Sequence, residues 1–405
     1  MSSTTDLRRT DTRRMLRRPR WAFWVLGAAL FAMLVSGNLP TPLYAEYRQR
    51  FGFTGTVLTL IFAVYALVLI PSLMLFGQLS DRIGRRRVVA LGLAAATVGL
   101  LLFLLASNTA WLFAARAVQG LALGIIIGTA TAALVEQEPR GDRRRAALVA
   151  TLGQAGGAAV GPVAAGMLAQ WAPAPRVLCY AGGAVLTTAV AVAVWRIPEP
   201  ALPGGPWRPQ RPSVPAESRA AFARAALAAG TGWAVGALFL SVVPSYAAAL
   251  LKSHNLALLG AVPAAMLATA CLTQAASQRA GVRPPIGQAA GSVVLICGLA
   301  ALVGAYPPRS VTLLLTGAVL AGAGLGLAYV GAQTQINQLA PERRRGEVTA
   351  AFLTCVYLGV SAAAIAVGLL SDALTLFAAV TIVASAIAAV AAPTAFWHWT
   401  RRGDN

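Results

Sequence analysis

The chain has 405 residues, of which 58% are apolar and only 11% charged, whereas about a quarter of the residues in soluble domains are charged. Its mean hydropathy is +0.68 and its formal net charge is +20, a composition that excludes an ordinary water-soluble domain. A basic nucleic-acid-binding domain is excluded as well: such proteins collect their charge on one folded face, whereas here the arginines occur in short runs between long uncharged stretches.

The chain opens with a basic arm, residues 1–20, which carries seven arginines and leads into an apolar run without a small-residue cleavage site. We expect this run to be a retained span rather than a signal peptide. A bilayer core of about 30 Å needs about 20 apolar residues in a helix, and the sequence supplies twelve such stretches. We predict spans at residues 21–43, 55–76, 87–107, 110–135, 146–170, 176–197, 222–250, 256–277, 286–305, 311–339, 347–370 and 373–396.

The basic residues are distributed unevenly between the connecting loops. If the N-terminus is cytoplasmic, 27 of them fall on the cytoplasmic side and five on the opposite side, with Arg116 inside a span. This asymmetry follows the positive-inside rule. We therefore expect a multi-pass protein of the plasma membrane, of the bacterial inner-membrane kind, with the N-terminal arm and the C-terminal tail in the cytoplasm.

The stretch at 198–221 is too polar and too rich in proline to span the bilayer. We expect it to be a cytoplasmic linker between two six-helix halves, residues 21–197 and 222–396, followed by a short cytoplasmic tail at 397–405. The loops after the second and fourth spans of each half echo each other at an offset of about 200 residues, which indicates a duplicated six-helix unit.

Four cysteines lie in apolar stretches, at spacings that indicate neither a disulfide framework nor a metal site: Cys179, Cys271, Cys297 and Cys355. Only two histidines are present, His254 and His398. We therefore expect no metal centre and no cofactor.

The segment GQLSDRIGRRR, residues 77–87, resembles the G-x-L-[AS]-D-R-x-G-R-R signature of the major facilitator superfamily. Its glycines permit a tight turn, and its aspartate can accept hydrogen bonds at a helix start. The resemblance implies a conformational latch that stabilises one access state, formed by Gly77, Asp81, Arg82, Gly84 and Arg85. The alternative role of the arginines is to anchor the topology.

In the fourth span, Arg116, Gln119 and Gly120 resemble the R-x-x-Q-G element of the superfamily's drug exporters. A cation inside a span costs about 2.5–3.5 kcal/mol on the insertion scale, so we expect Arg116 to face a polar interior and to have a partner. Glu46 and the polar groups around Asn38 are the candidate partners. Alternatively, Arg116 reaches the membrane surface through its long side chain.

The fifth span resembles the glycine-rich element of the superfamily's antiporters, although alanine replaces its penultimate glycine. The residues that carry the resemblance are Gly153, Gly157, Gly161, Pro162 and Gly166. Small residues at every fourth position let helix backbones touch, and proline bends a helix, so this segment suits a pivot. Ordinary small-residue packing is the alternative.

The resemblance covers residues 21–396 and implies an all-α integral membrane protein with the major facilitator fold, two six-helix bundles around a central cavity. We expect a sparsely polar cavity that suits an amphiphilic or apolar solute. The candidate residues for substrate contact are Asn38, Tyr44, Gln154, Trp233, Tyr329, Gln333 and Asn337. Any one of them can instead bond a neighbouring helix.

No carboxylate falls near the middle of a predicted span, and no nucleotide-binding motif is present. A proton gradient is therefore the expected energy source, with Glu46, Glu136 and Glu138 as candidate proton carriers. We expect a monomeric secondary transporter that exports drugs or hydrophobic metabolites and has a small molecule and the lipid bilayer as its partners, but no nucleic acid. An importer of a small nutrient such as a sugar and a non-transporting scaffold are the alternatives, and an enzyme is not expected.

Overall fold

The computed structural model describes residues 19–76, 79–198, 212–252, 255–341 and 344–400, except for the side chains at positions 81, 345 and 397–400. Regular structure in these ranges is helical, and twelve helical segments are long and apolar enough to cross a membrane. The predicted all-α membrane fold with twelve spans is thus confirmed. The basic arm up to position 18, most of the predicted linker and the end of the tail lie outside the described residues.

The α-helices, in chain order, are α1 (Arg20–Asn38), α2 (Tyr44–Phe51), α3 (Gly55–Phe76), α4 (Leu79–Ile83), α5 (Arg85–Leu104), α6 (Thr109–Gln137), α7 (Arg143–Trp171), α8 (Pro175–Trp195), α9 (Arg219–Ser241), α10 (Val243–Leu251), α11 (Leu256–Ala280), α12 (Pro284–Gly304), α13 (Val311–Leu339), α14 (Arg345–Ala373) and α15 (Leu376–Thr400). The short helices α2 and α10 continue the first and seventh spans, and α4 lies in the loop between the second and third.

The first span is longer than predicted and is broken in the middle. It runs from Arg20 to Phe51, because α2 extends it beyond the predicted end at position 43. Helix α1 ends at Asn38, where the Pro40 nitrogen has no proton to donate, and a 3₁₀ turn over Thr41–Leu43 leads into α2. This break leaves backbone carbonyls of α1 in need of other partners.

The two halves of the chain form six-helix bundles with the same internal packing. In the first bundle the first span packs on the fourth, fifth and sixth, and in the second bundle the seventh packs on the tenth, eleventh and twelfth. An equivalent buried hydrogen bond occurs in each bundle. The Tyr47 hydroxyl donates to the Phe103 carbonyl at 3.1 Å, and the Tyr246 hydroxyl donates to the Leu302 carbonyl at 3.2 Å. In both cases the two residues are 56 positions apart in the sequence.

The bundles meet along two seams, α7 against α11 and α3 against α14. Away from these seams, large apolar side chains are exposed on both bundles, where lipid can cover them; examples are Leu91, Val185, Leu272, Leu369 and Phe396.

Candidate functional site

A central cavity of about 120 Å³ lies between the two bundles. Much of its wall is aliphatic, and five aromatic side chains project into it from both halves: Phe62, Tyr65, Trp233, Tyr329 and Tyr357. Its polar lining consists of Asn38, Arg116, Gln154 and Gln274. The cavity therefore has the apolar wall and sparse polar groups of a small-molecule site.

The central cavity meets a larger vestibule of about 1020 Å³. Gln154, Gln274 and Tyr329 line both spaces. The vestibule extends to the end of the molecule that we call the arginine-rich face, formed by the loops that follow α3, α6, α11 and α13. Its mouth is lined by four arginines and one acid: Arg144, Arg145, Arg279, Arg283 and Asp142.

The opposite end, which we call the arginine-poor face, is closed by contacts between the bundles. The Asp372 carboxylate at the end of α14 accepts hydrogen bonds from the backbone N–H groups of Gly55 at 2.8 Å and Thr56 at 2.9 Å. Because the first N–H groups of a helix lack partners within it, Asp372 acts as an N-cap supplied by the other bundle. In the second seam, the Gln170 side chain accepts from the Leu256 N–H at 2.9 Å.

Arg116 lies inside the molecule with only 2% of its surface exposed. Its Nη1 donates to the Gly37 carbonyl and to Gln119 Oε1, both at 2.9 Å. The guanidinium carbon lies 5.2 Å and 4.5 Å from the ring centres of Phe62 and Tyr65, within the range of cation–π attraction. Arg116 therefore lies in the interior beside polar groups and does not reach the surface.

Gln119 explains why Arg116 is held at this position. Its Nε2 donates to the Ser36 carbonyl at 2.9 Å, the group that would accept from residue 40 if that residue were not proline. Gly120, one residue on, has room only for a hydrogen atom, because a Cβ would collide with the Tyr65 backbone. The R-x-x-Q-G element thus closes the broken end of α1 and brings Tyr65 close to the guanidinium.

The glycines of the fifth span allow α7 to pack closely against two helices. A Cβ at Gly153, Gly157 or Gly161 would collide with the backbone of α1, one turn apart at each step. Gly166 and Pro162 instead face α11, where a Cβ on Gly166 would lie 2.7 Å from the Leu256 carbonyl oxygen. The same helix therefore packs closely within its own bundle and across the seam.

The structure separates the predicted substrate contacts into three groups. Asn38, Gln154, Trp233 and Tyr329 line the central cavity. Gln333 and Asn337 line the vestibule. Tyr44 belongs to neither: it is buried among apolar residues near the arginine-poor face, because the break after α1 turns this part of the first span away from the cavity.

Sequence reasoning missed several lining residues, namely Phe62, Tyr65, Gln274 and Tyr357. A polar residue in the middle of an apolar span is a signal that points to Gln274. Neither Gln154 nor Gln274 has a side-chain hydrogen bond to a described residue, so both amides remain available to a solute. No comparable signal distinguishes the cavity aromatics from those that face lipid.

The predicted latch is described only in part. Gly77 and the Asp81 side chain lie outside the described residues. Arg82 is exposed. Gly84 adopts a φ of +103° as the residue before α5, and Arg85 Nε pairs with Glu136 at 2.6 Å within the first bundle. In this state, the contacts described for Arg85 thus tie helices of one bundle together.

The three candidate proton carriers lie away from the central cavity. Glu46, one of the two candidate partners of Arg116, instead pairs with Arg176 at 3.1 Å, while Arg116 bonds the Gly37 carbonyl beside Asn38. Glu136 pairs with Arg85. Burial alone would raise the pKa of Glu138, but hydrogen bonds from the N–H groups of Asp142 and Arg140 and from Arg145 lower its pKa below the usual value. No carboxylate is found among the described residues that line the cavity.

Comparison with known proteins places this arrangement in a family. The model of the Major Facilitator Superfamily matches residues 25–364. A crystal structure of the nucleoside transporter NupG superposes with a TM-score of 0.71 over 94% of this chain and 99% of that chain, at 12% identity. At this identity the superposition is evidence for the shared fold alone.

Three curated relatives match over shorter stretches. An uncharacterized MFS-type transporter, YybF of Bacillus subtilis, is 29% identical over 39% of this chain and 38% of its own length. The puromycin resistance protein pur8 of Streptomyces alboniger is 30% identical over 37% of this chain and 30% of its own. The quinolone resistance protein NorA of Staphylococcus aureus is 25% identical over 29% of this chain and 30% of its own. Each match therefore spans well under half of the relative.

Proposed function

Because the chain belongs to the Major Facilitator Superfamily, we propose that this membrane transporter exports amphiphilic or hydrophobic small molecules by alternating access, driven by an inward proton gradient. The observation that carries this proposal is the asymmetry of the space between the bundles. The central cavity continues into a wide vestibule at one face, while contacts between the bundles close the other face.

The direction of transport is supported by the relatives and by the arginines. Two of the matched proteins are named for resistance to puromycin and to quinolones, which fits removal of a solute from the cell. If the arginine-rich face is cytoplasmic, as the positive-inside rule requires, the vestibule opens to the cytoplasm. The structure then corresponds to the state that loads solute from inside the cell.

Within this proposal, the proton carrier is one of Glu46, Glu136 and Glu138. Glu46 is the best placed, because its pair with Arg176 lies near the arginine-poor face, where protons arrive, and its side chain is 33% exposed. Glu136 pairs with Arg85, which is itself one of the predicted latch residues. The hydrogen bonds to Glu138 hold it in the ionised form, which suits a structural role.

The proposal is tested by reconstituting the purified protein into liposomes with an imposed pH gradient and following efflux of a fluorescent dye and of puromycin. We expect flux that collapses when an ionophore removes the gradient. Asp81→Asn should reduce the flux, and Glu46→Gln should uncouple it from the gradient, while Glu217→Gln at an exposed position serves as the matched control. Flux that ignores the gradient would exclude proton antiport.

A further inference from the structure

The guanidinium of Arg116 has unused hydrogen-bonding capacity toward the central cavity. Its Nε is buried and has no hydrogen-bond partner among the described residues, and the two bonds described for the side chain are both made by Nη1. A buried donor without a partner is unfavourable, because it has lost its hydrogen bonds to water. A buried donor of this kind calls for an explanation, and a bound solute that accepts its hydrogen bond supplies one.

No acidic side chain of the part of the chain that the structure describes pairs with Arg116. Its contacts are a backbone carbonyl, an amide oxygen and two aromatic rings, all of them neutral. Among the described lining residues it is the single charged side chain. The lining of the cavity therefore carries one positive side chain in surroundings of low dielectric, where the attraction of an opposite charge is strong.

From these two observations we infer, building on the proposed transport function, that the preferred solute is an aromatic or otherwise planar apolar monoanion, such as an aromatic carboxylate. Its anionic group would pair with the guanidinium of Arg116, and its apolar body would lie among Trp233, Tyr329 and Tyr357. The amides of Gln154 and Gln274 are placed to bind further polar atoms.

The vestibule favours the same solutes. Four arginines and one acid line its mouth, and a cleft with an excess of one charge concentrates ligands of the opposite charge. The positive-inside rule accounts for arginines at this face in any case, so the vestibule adds to the inference but does not carry it. Arg116 carries the inference, because the topology rule does not require an arginine inside the membrane.

The test compares three ligands of the same ring system: 2-naphthoate, the neutral 2-naphthamide and a (2-naphthylmethyl)trimethylammonium cation. Their Kd values are measured by calorimetry with the purified full-length protein in nanodiscs. We expect wild type to bind naphthoate at least tenfold more tightly than naphthamide, and the cation more weakly still. Arg116→Gln should bring the ratio of the Kd values for naphthoate and naphthamide close to one, and Arg116→Lys should retain a reduced preference for naphthoate. Arg140→Gln changes a charge outside the lining and should leave the ratio unchanged.

Equal binding of naphthoate and naphthamide by wild type, or stronger binding of the cation, would overturn the inference even if Arg116→Gln does not fold. A full preference for naphthoate in folded Arg116→Gln would overturn it as well. The binding assay needs no gradient, so it is independent of the transport test. Proton-driven flux of neutral or cationic solutes without an anion preference would leave the proposed function standing and remove this inference.

Discussion

At the scale of single residues, the break in the first span explains the most buried polar cluster of the site. Pro40 cannot donate to the Ser36 carbonyl, and Gln119 donates to it instead. Gln119 also accepts from Arg116, so one amide satisfies the broken helix and positions the cation. The R-x-x-Q-G element is thus as much a support for the first helix as a part of the cavity wall.

This leads to a prediction for Gln119→Leu. The substitution keeps the volume but leaves the Ser36 carbonyl buried without its donor, which costs about 1–3 kcal/mol. Unfolding of wild type and variant in mixed SDS micelles measures the loss in the free energy of unfolding. Gln338→Leu, at an exposed position, is the matched control and should change stability little; equal losses in the two variants would contradict the assignment.

A second residue-scale prediction concerns Glu138. Because its pKa is lowered in the folded protein, its stabilising contribution is present above the ordinary pKa of a glutamate and is lost as the pH falls through the lower folded value. Wild type should therefore melt at a higher Tm than Glu138→Gln at pH 7. The difference should shrink once the pH drops below the ordinary value, whereas a constant difference down to pH 3 would argue against this role.

At the scale of helices, α1 and α7 pack with backbones in contact along a row of glycines. A Cβ at Gly157 would collide with the Phe31 carbonyl group, whereas a Cβ at the neighbouring Gly156 would meet nothing within 4 Å. The two positions share sequence context and helix and differ in the face they occupy. This contrast separates the cost of crowding from the general effect of replacing glycine.

We therefore predict opposite outcomes for two alanine substitutions. Gly157→Ala should destabilise the protein by about 1–3 kcal/mol, because the helices must separate, and should reduce transport. Gly156→Ala should be neutral or stabilising by up to about 1 kcal/mol, since alanine favours helix. The measurements are Tm in detergent and flux in liposomes, and a destabilising Gly156→Ala would show that glycine is needed there for another reason.

The spans were predictable from sequence to within a few residues, because lipid requires long apolar helices. The extension of the first span over Tyr44–Phe51 was not, because that segment carries Glu46, Arg48 and Arg50 and is too polar for a hydropathy argument. Gln154 and Trp233, which the sequence indicated as candidate substrate contacts, line the central cavity. The pairing of Glu46 with Arg176 was not predictable, since a contact between spans depends on how the helices rotate against each other.

At the scale of the whole molecule, two similar bundles enclose a charged and aromatic cavity and touch along two seams. At the arginine-poor face, Asp372 accepts a hydrogen bond from the first residue of α3, and Gln170 accepts one from the first residue of α11. These bonds hold the two bundles together at this face. These bonds are few and lie at helix ends, so rocking of one bundle against the other can break them without disturbing either core. The alternating access that we propose requires that they form in one state and not in the other.

Asp372 provides the sharpest test of this view. Its carboxylate caps α3 from the other bundle, and loss of an N-cap costs about 1 kcal/mol. Asp372→Ala should therefore raise the population of molecules that are open at the arginine-poor face by a factor of about 5. Spin labels at the exposed positions Gln49 and Leu374, measured by pulsed electron resonance, should report longer distances. Asn108→Ala removes a cap within the first bundle and should leave the distances unchanged; a similar shift in both variants would mean that Asp372 stabilises its helix without controlling access.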